Sequence, residues 1–366
     1  MTTRICTICS LLLLVNFIAV THDLALAAAI SKPKVLFFSA VDGQYLADSL
    51  EYWGNEVGAN GFILSYVAEW WSTKDQIFNN LDLLKKINEK GPQYGIDSNF
   101  IKIALGYSEL PLWTDEQAWR QIIDNFRNIA TLIKQSGTKG IVIDTEKYST
   151  SSLFNPNSDR FKSVKKDILQ AKIYERGRQI MQAITEEYPN IEVILLAEGH
   201  FAWEADVKEY EMWIDFYKGI ESVKNNKGIT LATEGTYSVT DQDRLTKMYN
   251  QIQASMQKAV NDQQFWQEKC SLAIGMWPLG KAYDNKAARY SPSDFKRQFS
   301  QAIVLSPKYV WIYEHGASWF QLKKEDADKY TKAGRRLWTT AYQTLPTDPN
   351  IDEYYSILRK YKKSHD

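Results

Sequence analysis

Two acidic residues, Asp144 and Glu146, follow directly after the short apolar run Gly140–Ile143. The run is rich in β-branched residues, which is typical of a buried β-strand. Because side chains on a strand alternate between its two faces, both carboxylates are predicted to point the same way, just beyond the last apolar residue. Neighbouring carboxylates repel one another and can separate into a proton donor and an ionised partner, so the pair is a candidate for acid–base chemistry.

Acidic and aromatic residues follow several other apolar runs of the chain. Glu198 and His200 come after one run, Glu234 and Tyr237 after the next, and Glu314 after the last. Further aromatic residues at or just past such ends are Trp70, Trp113, Tyr148 and Trp277. Aromatic faces with a polar edge suit the stacking of sugar rings, and the aromatic fraction is 13% with 12 Trp and 21 Tyr. If these ends meet, they form an acidic, aromatic-walled cleft that fits a carbohydrate.

Eight apolar runs are predicted to be strands. They are Val35–Ser39, Phe62–Tyr66, Phe100–Leu105, Ile141–Asp144, Ile191–Ala197, Ile229–Thr233, Leu272–Met276 and Tyr309–Tyr313. Amphipathic stretches with helical spacing lie between them, for example over residues 119–133. Helix starts are predicted at three pairs: Thr73 with Gln76, Thr114 with Gln117, and Ser291 with Pro292. Trp311, within the last run, is predicted to pack between strands and helices.

Strands that alternate with helices indicate parallel pairing, so the predicted fold is an α/β single-domain (β/α)8 TIM barrel with elongated βα loops. An open doubly wound sheet is the competing architecture. It is disfavoured because Ser39–Gly43, after the first run, contains one glycine and no dinucleotide-binding motif. Residues 30–345 are assigned to the barrel and 346–366 to a tail with a helix near 354–361. The active site of such a barrel lies at the carboxyl ends of its strands.

Residues 1–29 have the pattern of a cleaved signal peptide, with Arg4, an apolar segment from Leu11 to Val20 and small residues before position 30. An uncleaved membrane anchor is the alternative. We therefore expect a secreted or periplasmic protein, with Cys270 as the one cysteine of the mature chain. The 44 basic and 44 acidic residues balance, and the sequence has no basic block, so neither a nucleic-acid partner nor a membrane-surface partner is predicted. A monomer is expected.

The segment Lys139-Gly140-Ile141-Val142-Ile143-Asp144-Thr145-Glu146 resembles the fourth-strand signature of the family 18 chitinases, within the (β/α)8 glycoside hydrolases. Lys139 and Val142 stand where that signature has aspartates, and Thr233-Glu234 stands where the sixth strand of that family has Tyr-Asp. The resemblance implies that Glu146 is the general acid and that Asp144 orients a substrate N-acetyl group. Other barrel glycosidases imply a different pairing, of Asp144 or Glu146 with Glu198 or Glu234.

These observations together predict a glycoside hydrolase that cleaves an oligo- or polysaccharide without cofactor or metal. Glu146 is the expected proton donor, Asp144 the auxiliary carboxylate or nucleophile, and Glu234 the second candidate partner. Residues expected to bind substrate are Glu198, His200, Trp277, Tyr237, Tyr148, Glu314, Trp70 and Trp113. Two other classes stay open: a non-catalytic carbohydrate-binding barrel, and a metal-dependent hydrolase or deacetylase that uses His200 with nearby acids.

Overall fold

The structure is a computed structural model that describes residues 32–39, 43–65, 67–106, 109–146, 153–196, 207–280, 290–314, 319 and 349–364. Eight parallel strands close into a barrel in sequence order. They are β1 Lys34–Ser39, β2 Gly61–Leu64, β3 Phe100–Ala104, β4 Gly140–Asp144, β5 Glu192–Leu196, β6 Ile229–Thr233, β7 Ser271–Met276 and β8 Tyr309–Tyr313. β8 pairs with β1, from Lys34 opposite Tyr309 to Phe38 opposite Tyr313, and this pairing closes the ring. The predicted (β/α)8 barrel is therefore confirmed.

Helices follow the strands along the chain. Those in the described residues are α1 Gly43–Asp48, α2 Lys74–Phe78, α3 Leu81–Lys90, α4 Glu116–Ser136, α5 Lys166–Glu187, α6 Trp213–Glu221, α7 Gln242–Ala259, α8 Gln263–Lys269, α9 Pro292–Leu305 and α10 Ile351–Lys363. A π-helical turn covers Tyr52–Val57. The tail helix is α10, and it contacts this turn and α9 on the outside of the barrel.

Local sequence signals explain where several helices begin. Thr73 accepts a hydrogen bond from the Gln76 backbone in a complete capping box before α2, as predicted. Ser291 caps α9, whose first residue is proline. The predicted start at Thr114 is wrong by one residue, because the Asp115 carboxylate caps the helix and accepts the hydrogen bond from the Ala118 backbone N–H at 3.0 Å.

The buried residues form two separate layers. One lies between strands and helices, and the other fills the inside of the barrel. The inner layer consists of Leu36, Phe38, Ile63, Phe100, Val142, Ile194, Leu196, Ala232, Ala273, Tyr309 and Trp311. Every second residue of a strand points inward, so the residue types in the inner layer decide what lies beneath the carboxyl ends.

Trp311 belongs to this inner layer, so its predicted position between strands and helices is wrong. Its Nε1 donates to the Ala273 carbonyl at 3.2 Å across the barrel wall. The neighbouring strand provides the space through Gly275, where an added Cβ would lie 2.7 Å from the Trp311 ring and 2.2 Å from the Thr233 carbonyl oxygen. A glycine on β7 therefore allows a tryptophan to fill the barrel just below its mouth.

The predicted signal peptide, residues 1–29, lies outside the described residues. Of the helices that the structure does describe, not one combines the length and the apolar character needed to cross a bilayer.

Candidate active site

Asp144, the last residue of β4, lies inside the barrel and forms an ion pair with Lys102 of the neighbouring strand β3. Lys102 Nζ is 3.0 Å from Asp144 Oδ2, and the two side chains are 1% and 0% exposed. The Lys102 ammonium also lies 5.0 Å from the centre of the Phe38 ring. Because both charges are withdrawn from water, each strongly stabilises the other. The pair forms the charged floor of the barrel mouth.

The second carboxylate oxygen of Asp144 holds the chain that follows. Its Oδ1 accepts a hydrogen bond from the Glu146 backbone N–H at 2.9 Å. A carboxylate with no exposed surface cannot reach a bound sugar in this structure, so the predicted role of Asp144 as nucleophile does not fit its position. The same burial argues against the N-acetyl contact that the chitinase resemblance implies. Asp144 instead supports the backbone from which Glu146 extends.

Glu146 and Glu234, from the ends of β4 and β6, both lie near the phenol of Tyr237. The Tyr237 hydroxyl donates a hydrogen bond to Glu234 Oε1 at 3.1 Å. Burial raises the pKa of the Tyr237 phenol well above its usual value, and the neighbouring Glu234, Tyr313 and Glu146 raise it further. The phenol therefore stays protonated and remains a donor. Two of the three predicted catalytic residues thus act on one phenol, Glu234 through a hydrogen bond and Glu146 through its charge.

Aromatic rings form one wall of this mouth. The Tyr237 ring stacks on Tyr313 with centroids 5.5 Å apart and an interplanar angle of 17°. Trp277 meets Tyr237 and Tyr313 edge to face at 5.7 and 5.0 Å. Trp277 and Tyr237 are both partly exposed, as a surface that stacks on a ligand must be. We name Tyr237, Trp277 and Tyr313 the aromatic wall.

Glu69, in the loop after β2, is an acidic residue that follows a strand end but is not among the predicted catalytic or substrate-binding residues. Burial raises the pKa of its carboxyl to about 7; the charge of Asp144 adds to this, while Lys102 and the Ala104 N–H oppose it. Its Oε2 is buried and has no hydrogen-bond partner among the described residues.

Lys102 was not predicted as a site residue. A lysine within the apolar run Phe100–Leu105 could have indicated a buried ion pair, because a lysine in a buried strand needs a counter-charge.

Three other predicted site residues lie away from the aromatic wall or offer little surface. Trp113 is 1% exposed and stacks on Trp119 at 4.9 Å in the outer layer, so it has no free face for a sugar. Trp70 is 8% exposed, whereas its neighbour Trp71 is 46% exposed. Glu314 is 4% exposed and follows Tyr313 on the opposite face of its strand. We leave Trp113 and Glu314 out of the candidate site.

The environment of Glu314 explains its exclusion. Its backbone N–H donates to the Phe38 carbonyl at 2.9 Å, continuing the β8–β1 ladder. Burial, and to a lesser degree the charge of Glu314, raises the pKa of Tyr45 and Tyr355, which belong to the helices α1 and α10. The carboxylate therefore faces the helical layer and not the interior of the barrel.

Tyr148, Glu198 and His200 lie outside the described residues, so their predicted roles stay predictions. Within the part of the chain that is described, no three His, Cys, Asp or Glu side chains converge as metal ligands would.

No family model matches the sequence, and no curated protein matches it. The barrel is similar to a GH5-4 broad-specificity endoglucanase from an uncultured bacterium, with a TM-score of 0.51 and 14% identity over 91% of this chain and 95% of that one. It is similar to a glucosidase from Croceicoccus marinus, with a TM-score of 0.51 and 10% identity over 92% and 68%. A GH18 chitinase from Pseudoalteromonas aurantia has a TM-score of 0.44 and 11% identity over 82% of this chain and 98% of that one.

These comparisons confirm a weak likeness to the barrels of glycoside hydrolases, and at such identities the likeness is one of fold. A barrel of this type supports many chemistries, so function has to be argued from the residues at the mouth.

Proposed function

We propose that this protein is a glycoside hydrolase acting on an oligo- or polysaccharide, with Glu146 and Glu234 as its carboxylate pair. The observation that carries the proposal is that both glutamates act on the Tyr237 phenol beside the aromatic wall, Glu234 through a hydrogen bond and Glu146 through its charge. Two carboxyl groups that flank a cleft are the minimum that glycosidic cleavage needs, and both come from strand ends, where barrel enzymes place their chemistry.

The environments of the two glutamates support different catalytic roles for them. The hydrogen bond from Tyr237 stabilises the ionised form of Glu234, which makes Glu234 the nucleophile or the base that activates water. Glu146 then donates its proton to the departing glycosidic oxygen. Water supplies the hydroxyl group that the anomeric carbon gains, so the reaction needs no other reactant. Trp277 and Tyr237 would hold the sugar by stacking.

The test is to screen the purified protein against a panel of polysaccharides and to follow products and their anomers. We expect Glu146→Gln and Glu234→Gln to keep the fold and glycan binding while kcat falls about 10³-fold or more. Glu89→Gln is the matched control, because Glu89 is exposed on α3 and the substitution is the same. Normal turnover in Glu146→Gln would overturn the assignment.

The same screen addresses the other two classes. Glycan binding by the unaltered protein with no cleavage of any substrate would favour the non-catalytic carbohydrate-binding barrel. Loss of cleavage on chelation would favour a metal-dependent hydrolase.

We also propose that residues 1–29 direct export and are removed. The pattern of these residues motivates this proposal. The amino-terminal sequence of protein recovered from culture medium or periplasm tests it, and a cytoplasmic protein that keeps these residues would contradict it.

A further inference from the structure

A cluster of three charged side chains lies beneath the proposed catalytic glutamates. Lys102 comes from β3, Asp144 from β4, and Glu69 from the loop after β2. Lys102 and Asp144 are almost completely buried. Glu69 is partly buried, its carboxylate accepts a hydrogen bond from the Ala104 N–H, and Ala104 lies opposite Asp144 in the β3–β4 pairing. When all three are ionised, two negative charges share one positive charge inside the barrel. Protonation of Glu69 leaves the Lys102–Asp144 pair balanced.

A continuous set of contacts runs from this cluster to the proposed proton donor. Lys102 Nζ lies 3.0 Å from Asp144 Oδ2, and Asp144 Oδ1 lies 2.9 Å from the Glu146 backbone nitrogen. Asp144 therefore links the ammonium on one side to the main chain of Glu146 on the other. Any change in how strongly Lys102 holds Asp144 acts on the backbone that carries Glu146.

Of the three residues in the cluster, Glu69 is the one whose ionised form is least stabilised by its surroundings. Its Oε2 is buried without a hydrogen-bond donor in the described part of the chain. The groups there that influence its charge are Lys102, Asp144 and the Ala104 N–H. Burial and Asp144 disfavour ionisation more strongly than Lys102 and the Ala104 N–H favour it, and the pKa of Glu69 lies at about 7. Once ionised, Glu69 competes with Asp144 for the Lys102 ammonium.

We propose that Glu69 is a positioning residue of this site, which in its protonated form leaves the Lys102–Asp144 pair free to hold the Glu146 backbone and in its ionised form weakens that hold. The inference rests on the proposed function, because it assigns the positioned residue Glu146 to the reaction. Glu69 acts through Asp144 and not by touching the substrate. It therefore governs kcat more than KM.

The first test needs no activity. In the unaltered protein, the ¹⁵N chemical shift of the Glu146 amide should titrate with a midpoint near the pKa of Glu69, about 7. In Glu69→Gln that titration should vanish, whereas Glu89→Gln should retain it. A Glu146 amide that titrates identically in Glu69→Gln, or that does not titrate near this pH in the unaltered protein, would overturn the inference.

A ¹³C titration of the glutamate carboxyls tests the direction of the coupling. Asp144→Asn should lower the Glu69 midpoint, because the negative charge that raises it is removed. If that variant fails to fold, Lys102→Met with Asp144→Asn removes both charges. The Glu69 midpoint should then rise, since the effect of Lys102 is larger than that of Asp144. If the Glu69 midpoint moves in the opposite direction in either variant, Glu69 is not coupled to Lys102 and Asp144 as proposed.

The third test is kinetic. On a glycan that the unaltered protein cleaves, kcat should fall on the order of tenfold as pH rises through about 7, with little change in KM. In Glu69→Gln this fall in kcat should disappear or move to a pH that is higher by at least about one unit. A fall in kcat that is unchanged in Glu69→Gln would overturn the inference but would leave the proposed function standing. Absence of cleavage at every pH removes the proposed function, and the amide titration still decides the coupling.

Discussion

The two ends of the barrel hold their charges in different ways. At the mouth, Lys102 and Asp144 are 1% and 0% exposed, so water does not help to solvate them. At the base, where the strands begin, Lys34 and Asp97 are 39% and 45% exposed. Glu192, also at the base, accepts a hydrogen bond from the Tyr309 hydroxyl at 2.8 Å. The charges at the base are solvated or hydrogen-bonded, while those at the mouth depend on one another.

The mouth is therefore the end at which the sequence buries opposite charges without solvent. Barrels carry chemistry at the carboxyl ends of their strands and stability at the amino ends. A buried ion pair is weak evidence for stability, because desolvation offsets much of its attraction. Its presence at the mouth is better explained by a site that must position charge.

The base is also stabilised by Lys362 of α10, whose ammonium donates to the carbonyls of Gly54, Ala59 and Tyr94 at 2.9, 3.0 and 2.6 Å.

The largest expected effect comes from breaking the pair at the mouth. Lys102→Met leaves Asp144 buried without its ammonium, and we expect the free energy of unfolding to fall by about 3–5 kcal/mol. Urea denaturation measures this. The double variant that adds Asp144→Asn should recover part of the loss, because no unpaired charge remains. A loss below about 1 kcal/mol in the single variant would mean that Asp144 is well solvated, and the contrast between the two ends would fail.

At the base, Lys362→Met removes the ammonium that three carbonyls share. We expect a loss of about 2–3 kcal/mol in the free energy of unfolding, because hydrogen bonds from a charged donor to partly buried acceptors are lost. Any turnover of the folded protein should be unchanged, which is the feature that separates base from mouth. Lys363→Met is the control, since Lys363 is the next residue along α10 and its side chain is exposed. A fall in turnover of the folded variant would show that the two ends are coupled.

Glu69→Gln should change how stability depends on pH. The pKa of Glu69 rises from 4.5 to about 7 on folding, so the folded protein binds this proton more tightly than the unfolded chain does. The stability that the proton contributes is complete below about pH 4.5 and is lost as pH rises through about 7. Glutamine does not titrate, so between pH 4.5 and about 7 the variant should gain about 2–3 kcal/mol relative to the unaltered protein.

Denaturation curves of both proteins at the two ends of the range measure this difference. Parallel pH profiles for the two proteins would mean that Glu69 keeps an ordinary pKa.

The smallest effect should come from the exposed pair at the base. Lys34→Met removes a partner of Asp97, yet both side chains are more than a third exposed. Water solvates the remaining carboxylate, so the free energy of unfolding should change by less than about 0.5 kcal/mol. Thermal denaturation at low and high salt checks this. A loss comparable with that of Lys102→Met would remove the distinction between buried and exposed charges.

The barrel could be predicted from the sequence because its strands are apolar on both faces and are separated by helices. Every predicted run agrees with its strand to within two residues, for example Ile229–Thr233 and Tyr309–Tyr313, which match in full. The same rule predicts that Glu146 and Glu234 share one rim, since parallel strands place their carboxyl ends at the same end of the barrel.

What escaped prediction depends on contacts between strands. The inward position of Trp311 requires the space that Gly275 leaves on the neighbouring strand, and no pattern within one strand reveals it. Asp144 looks like a catalytic acid until Lys102, 42 residues earlier in the chain, is placed 3.0 Å away. Trp113 follows a strand end, yet Trp119 and the outer layer cover it. Sequence spacing identifies which residues can meet, while packing decides which remain accessible.

The contact between α10 and the start of β1 has a consequence for the connectivity of the chain. The Tyr361 hydroxyl donates to the Pro33 carbonyl at 2.7 Å, so the two ends of the described fold lie side by side. Proteins whose ends are adjacent tolerate circular permutation when the new ends open in an exposed loop. Pro189 and Asn190, exposed between α5 and β5, offer such a cut at the base, at the end of the barrel opposite the mouth. A chain that begins there should rebuild the same ring of strands in a rotated order.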